Sequence, residues 1–416
     1  MARYDRTGST PEWIGGVHAA PEPGEGLRAA APEGEAVTAE IVADVDGIRA
    51  LTADYERLYR VTGNTLPFAT QEWHLSWCEH LLSHSRRASQ QPLFCVLRRS
   101  DARCVAIVPL ILTRRRWGPL KVGAVGLVGA DPALTEIRNP LVEPGYERAT
   151  VRAVHDRLGM LTGWDWIQWS AVSAALAAAL SLEVTPHWYQ TLDDYLLDLP
   201  ADWADFRATL TRNLRESLRH CYNSLRRAGH AFEFVVARDR VEVRWALYRF
   251  LELHTLRANM PWGPPHADRF AAHSLRAFLY DVCDRLAARD AVRVFQLRIA
   301  EEVVASRIGF VTGDSLYLYY SGFDPAWARY SVMTTTVAEA LRYAIASGLK
   351  TANLSVTGDQ AKERWHPRRV DFYSAVVHRD SIRSRLACGA YRVAASGRSA
   401  PRRLLKRLLQ ARHDWN

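Results

Sequence analysis

The strongest constraint on this chain lies between residues 292 and 356, where three apolar-rich runs lead through a turn into a helix and then into another apolar run. The runs 292–300, 303–311 and 315–322 read as three consecutive strands. Glu302 marks the first connection, and Gly313-Asp314 marks the second as a hairpin turn. The spacing predicts a helix over 334–347, with Val337, Leu341, Ala344 and Ile345 on one face and Gly348 closing it. Residues 351–356 then read as a buried strand. A strand that runs directly into a helix leaves unpaired backbone N–H groups aimed at one point, where the helix dipole adds partial positive charge. Such a point suits a pyrophosphate. Arg329 and the hydroxyls of Ser331, Thr334, Thr335 and Thr336 can add donors there. Plain capping by Ser331 or Thr334 accounts for the same local pattern.

At 416 residues the chain is too long for one ordinary core, and two domains are expected. Residues 1–36, rich in Gly, Pro, Ala and Glu, read as a disordered lead. Residues 37–190 read as one α+β unit, with strands at 41–45, 93–98, 104–112, 121–129 and 166–169. Its helices are expected at 46–60, 71–82, 152–161 and 173–181. Residues 191–380 read as a second unit of similar order. A strand at 195–199 precedes a long helix at 203–228, whose stripe of Phe206, Leu210, Leu214, Leu218, Cys221 and Leu225 recurs at helical spacing. A strand at 232–236, helices at 241–257 and 269–288, the central block and a strand at 372–377 follow. Residues 381–416 form a basic tail whose LLKRLLQ segment suits an amphipathic helix, a candidate for peripheral membrane contact.

Composition narrows the function. Apolar residues at 48% with charged residues at 24% describe a globular chain. No run is long enough for a transmembrane segment, and no signal peptide is evident. The six cysteines show no zinc spacing, so no metal is expected, and scattered thiols suit a cytoplasmic protein. The charge of +9 is modest and concentrated near the C-terminus. On the helix 203–228, Arg207, Arg212, Arg215, Arg219, Arg226 and Arg227 lie opposite the apolar stripe, as a solvated face or as a phosphate track.

The stretches SRIGF, LYLYYSGFDPAWARYS, AEALRYAIASGL and KERW, with RNLRESLRHCYNSLRRAG and FLELHTLR upstream, resemble the CelD/BcsL or BioF2-like acetyltransferases of the GNAT superfamily. LPFATQEWHLSWCEHL and AIVPLIL extend the resemblance across about residues 40–380. The Fem-type aminoacyl transferases are more distantly similar. The resemblance implies an α+β chain of two tandem GNAT-like domains, each a mixed, mostly antiparallel sheet flanked by helices, with the donor site in the second. It implies acetyl-CoA or another acyl-CoA as donor and an unknown amine or hydroxyl acceptor on an envelope, polysaccharide or secondary-metabolite molecule. The pyrophosphate turn maps onto Arg329, Tyr330, Ser331, Val332, Met333, Thr334 and Thr335, with Tyr319 and Ser321 on the preceding strand. Val332 and Met333 stand where relatives commonly carry Pro-Gly, so a side chain occupies a place where glycine permits close approach.

GNAT chemistry needs a base for the attacking group, backbone N–H groups for the oxyanion and an acid for the leaving thiolate. Asp324, Asp359 and Lys362 are the candidate catalytic residues. Each also has a structural reading: Asp324 precedes Pro325 in a turn, and Asp359 suits the cap of a helix around Lys362. Tyr320, Trp365 and His254 are candidate substrate contacts, and all three fit a core equally well. Two other readings stay open: a Fem-type transferase using aminoacyl-tRNA, and a non-catalytic GNAT pair serving as a scaffold in exopolysaccharide synthesis.

Overall fold

The computed structural model describes residues 37–82, 88–117, 120–129, 134–262 and 266–395. The expected lead at 1–36 and the LLKRLLQ segment lie outside the described residues.

In chain order the elements begin with β1 (Val37–Val42), α1 (Val45–Ala50), α2 (Thr52–Val61), α3 (Gln71–Leu81), β2 (Ala88–Arg99), β3 (Cys104–Trp117) and β4 (Leu120–Leu127). They continue with β5 (Leu141–Val142), α4 (Glu147–Gly159), β6 (Trp166–Val172), α5 (Ala174–Glu183) and β7 (His187–Asp198). The second half holds α6 (Trp203–Thr209), α7 (Arg212–Arg227), β8 (Phe232–Ala237), α8 (Arg240–Ala258), α9 (His273–Ala287), β9 (Val292–Ile299), β10 (Glu302–Thr312) and β11 (Ser315–Phe323). A 3-10 turn over Pro325–Tyr330 precedes α10 (Val332–Ala346), β12 (Thr351–Val356), α11 (Gln360–Glu363), β13 (Arg368–His378) and α12 (Ile382–Ala395).

The expected α+β class is present as two compact units. In the first, β1 to β4 are antiparallel neighbours, β4 runs parallel to β6, and β6 is antiparallel to β13; β5 pairs with β3. In the second, β8 to β11 are antiparallel, β11 runs parallel to β12, and β12 is antiparallel to the end of β7. The strands of the two units follow one topology. Helix α4 makes the crossover to the parallel strand in the first and α10 in the second.

The last strand of each unit is exchanged along the chain. β13 completes the strand set of the first unit, while residues 194–198 of β7 complete that of the second. Among the described residues the first unit therefore takes those up to 48, those of 82–192 and those from 372 on, and the second takes 49–81 with those of 193–371, which corrects the linear division expected at 190/191 and at 380. Residues 49–81 join the second unit through aromatic packing. Phe68 meets Tyr317 edge-on at 5.1 Å, and Trp73 meets Phe278 at 5.1 Å. Such large rings dominate core energetics and prefer these tilted geometries.

The long helix expected over 203–228 is two helices. Leu210 is extended, and the Thr211 side chain accepts a hydrogen bond from the Leu214 N–H, capping α7 afresh. The predicted stripe nevertheless points inward, with Phe206, Leu210, Leu214, Leu218, Cys221 and Leu225 all buried. Among the described residues no helix is long and apolar enough to cross a membrane.

Candidate active site

The second unit places the predicted motif where its sheet opens. β11 and β12 pair only from Ser315↔Thr351 to Tyr317↔Asn353, after which β11 continues without β12 beside it. Opposite Ile308 of β10, two residues of β11, Tyr319 and Tyr320, fill the space of one, because Ser321 pairs with Arg307 while Leu318 pairs with Gly309. This bulge bends the strand and sharpens its twist. β12 is irregular as well: its register with β7 shifts between Asn353 and Val356, and Ser355 and Thr357 have positive φ. Asn353 donates to Asp194 at 2.7 Å and accepts from the Ser355 N–H at 2.7 Å, which fixes the strand at the point of divergence.

The chain leaves β11 through the 3-10 turn, which Asp324 caps by accepting from the Ala326 N–H at 2.9 Å. Ser331 is left-handed, with φ 55° and ψ 41°, and α10 starts at Val332, two residues before the expected position. Its carbonyl accepts from the N–H groups of Thr334 and Thr335. The N–H groups of Val332 and Met333 have no acceptor among the described residues. A left-handed residue followed by free N–H groups at a helix start is an anion-binding concavity.

The side chains around this concavity agree. Thr335 is fully buried, and its Oγ1 has no nitrogen or oxygen partner. Arg364 donates from Nη2 to Thr334 Oγ1 at 2.9 Å, while its Nε is buried without an acceptor. The Cys221 thiol of α7 lies against Ser331 and Thr335; burial pushes its pKa up, partly offset by Ser331 and Arg364. Met333 is partly buried. Its side chain packs with the apolar cluster of Leu225, Val304, Tyr330 and Val332. Arg329 is exposed and lies over the Tyr330 ring at 4.7 Å, so the cation next to the concavity is Arg364. Tyr330 is buried and shares a hydrogen bond with His230 at 3.2 Å.

A second cluster lies on the other side of the β11 bulge. His254 is fully buried. Its Nε2 accepts from the Arg269 N–H at 3.2 Å, so Nδ1 carries the proton and donates to the Ser321 carbonyl at 3.0 Å. Burial lowers its pKa, and with both nitrogens engaged it braces α8 against β11 instead of facing a substrate. Arg257 donates to Ser321 Oγ at 2.9 Å; burial lowers its pKa, partly offset by Asp359 beyond the end of β12. His266 meets the His254 ring edge-on at 5.0 Å. Its Nε2 is buried without a partner, and burial, then Arg257, lower its pKa to about 4. Tyr320 is half-buried against His254 and Phe270, and Tyr319 is buried beside it.

The other sequence candidates are placed as follows. Asp359 caps α11, accepting from the Lys362 N–H at 2.8 Å. Lys362 Nζ donates to the carbonyls of Val356 at 2.6 Å and Thr357 at 3.1 Å, closing the end of β12. Trp365 is buried and stacked on Phe206, so it belongs to the core. Sequence reasoning passed over Arg364, Arg257, Cys221 and His266. Arg364 lay within the quoted KERW segment, but its pattern carries no sign that it reaches Thr334. Glu79, His80 and Asp281 converge within 4.8 Å, yet Arg49 and Arg285 pair with the carboxylates, leaving an ordinary surface ion network.

Residues 212–366 match the family described as Acetyltransferase (GNAT) domain. The matched residues lie within the second unit. The crystal structure of FemX is similar at TM-score 0.52 and 10% identity, covering 77% of this chain and 95% of FemX. The C-terminal domain of a putative lysylphosphatidylglycerol synthetase from Agrobacterium fabrum is similar at TM-score 0.46 and 13% identity, covering 82% of this chain and 95% of that one. A tandem GNAT protein from the clavulanic acid biosynthesis pathway is similar at TM-score 0.42 and 12% identity, covering 82% and 98%. No curated protein matches the sequence.

Proposed function

We propose that the chain is an acyltransferase that takes its acyl group from acetyl-CoA or another acyl-CoA and passes it to an amine or hydroxyl. One observation carries this reading: the concavity at the start of α10, with two free N–H groups, a buried Thr335 hydroxyl that has no nitrogen or oxygen partner and the Arg364 guanidinium, opens next to the splayed edge of β11. The diphosphate would rest on Val332 and Met333, and the thioester would lie along the strand, where freed backbone N–H groups can stabilise an oxyanion. His266, neutral at physiological pH and with an open buried nitrogen, is the proposed base for the attacking group. Asp324 and Asp359 serve as caps, and Lys362 holds the end of β12. The acceptor class proposed from the sequence, an envelope, polysaccharide or secondary-metabolite molecule, and the CelD/BcsL relationship rest on the motif resemblance, as does a cytoplasmic location.

A second reading has an observation of its own. Arg212, Arg215, Arg219, Arg226 and Arg227 of α7 are exposed, a charged track suited to the tRNA of an aminoacyl donor. Calorimetric titration with acetyl-CoA, coenzyme A and an aminoacyl-tRNA separates the two. Acetyl-CoA and coenzyme A are expected to bind with similar affinity, because the diphosphate supplies most of the contacts. Absence of heat with both, together with tRNA binding lost on charge reversal of Arg212, Arg215 and Arg219, would replace the acyl-CoA reading with the aminoacyl-tRNA one. Silence with all three ligands would leave the scaffold reading.

A further inference from the structure

Helix α8 is apolar on two faces. Val243, Ala246, Leu247, Phe250, Leu253 and His254 are buried. On the opposite side Val241, Trp245, Tyr248 and Leu256 are exposed, and at 100° per residue they fall within a sector of roughly 80°. Trp245 is 70% exposed and Tyr248 59%, while Trp262, four residues past the helix end, is 53% exposed. Single exposed hydrophobics are ordinary, but an aligned stripe of them marks an interaction surface.

We propose that this face of α8 docks on the headgroup region of an anionic phospholipid bilayer. The surface is a convex helix side rather than a groove, which suits shallow insertion better than capture of a peptide. Its main groups, two Trp and a Tyr, have apolar bodies with one polar atom each, the combination favoured at the membrane–water boundary. Of its four arginines, Arg240 pairs with Asp284, Arg249 with Glu252, and Arg257 turns inward to Ser321, so Arg244 is the one that offers its charge beside the stripe. Glu252, which lies among the apolar residues, is paired with Arg249 at 2.9 Å, and Arg244 is exposed next to Trp245. A second copy of the chain is a poorer occupant. Five partly exposed side chains offer on the order of 500 Å², against about 800 Å² per partner in a stable dimer. The inner face of the same helix holds His254 against Ser321, so docking would bring the second cluster of the site to the lipid boundary. The proposal does not depend on which donor the site takes.

The test is co-sedimentation of the full-length protein with phosphatidylcholine vesicles, with and without phosphatidylglycerol. Tryptophan emission and its quenching by brominated acyl chains are read in parallel. Binding to the phosphatidylglycerol vesicles, a blue shift and quenching are expected. The double variant Trp245→Ser, Tyr248→Ser is expected to bind roughly ten-fold or more weakly. Arg244→Glu, at an exposed position that leaves the packing intact, is expected to weaken binding to the anionic vesicles with an unchanged melting temperature. Absence of vesicle binding overturns the proposal. So does undiminished binding in both variants, which would place the lipid contact elsewhere, for instance in residues 396–416. Self-association in sedimentation velocity that Trp245→Ser abolishes, without vesicle binding, would assign the face to a second copy and also overturn it.

Discussion

Arg364 and His266 divide the proposed chemistry at the residue scale. Arg364 stands where a diphosphate would lie, with one nitrogen engaged by Thr334 and a buried Nε without an acceptor. A charge-assisted hydrogen bond contributes about 1.5–3 kcal/mol. Arg364→Gln is therefore expected to weaken acetyl-CoA binding by about ten-fold or more, read by calorimetry with an unchanged circular dichroism spectrum. Equal affinity in the variant would remove Arg364 from the donor site. His266 should behave differently. His266→Ala is expected to leave donor affinity in place while slowing thiol release in the presence of an acceptor amine or hydroxyl by about 10²–10⁴-fold, the usual contribution of a positioned base. Because the His266 pKa is lowered to about 4, the acid limb of the rate profile should fall near that value. A limb near the ordinary histidine pKa would point to another group. Of the named candidates, Ser331, Thr334 and Thr335 were legible because a strand-to-helix turn is written in the local pattern. His266 was not, since a lone histidine in a loop between two helices has no local signature.

At the scale of elements, β11 and α8 are in backbone contact. A Cβ on Gly322 would lie 2.4 Å from the His254 nitrogen and 2.6 Å from the Leu253 carbonyl carbon. Gly322→Ala must push the strand off the helix and break the bond between His254 and Ser321. Overpacking of this kind typically costs about 1–3 kcal/mol. Urea denaturation is expected to show that loss, with donor binding weakened in parallel; an unshifted midpoint would mean that the strand and helix separate freely. Helix boundaries were less readable than helix faces. The stripe from Phe206 to Leu225 has helical spacing throughout, and that spacing hid the break at Leu210, which is visible only as an extended residue followed by the Thr211 cap. Thr211→Ala should cost about 1 kcal/mol if that cap sets the start of α7, and nothing if packing alone sets it.

Across the whole molecule, buried neutral histidines make stability depend on pH. Burial lowers His74 to about 3 and His155 to about 4, one in each unit. In the unfolded chain these groups titrate near 6.5. Between the two values the unfolded state binds more protons, so stability is complete above about pH 6.5 and declines as pH falls toward 4. Thermal unfolding at pH 7.5 and 4.5 should show the lower melting temperature in acid, and His74→Gln should flatten the slope. A melting temperature that is constant or rises in acid would contradict the burial argument. The same two-unit organisation explains why domain boundaries could not be read from the chain. Residues 49–81 read in sequence as helices of the first half, and contacts such as those of Phe68 and Trp73 with Tyr317 and Phe278 assign them to the second unit.

The sequence alone determined the order of strands and helices, the apolar faces and the turn at Ser331, because each depends on periodicity and capping within a few residues. Tertiary structure decided the rest. The exchange of β7 and β13, the reach of Arg364 to Thr334 and the facing of His254 and His266 join residues 12 or more positions apart. Such contacts come from which surfaces bury each other, and no local pattern encodes them.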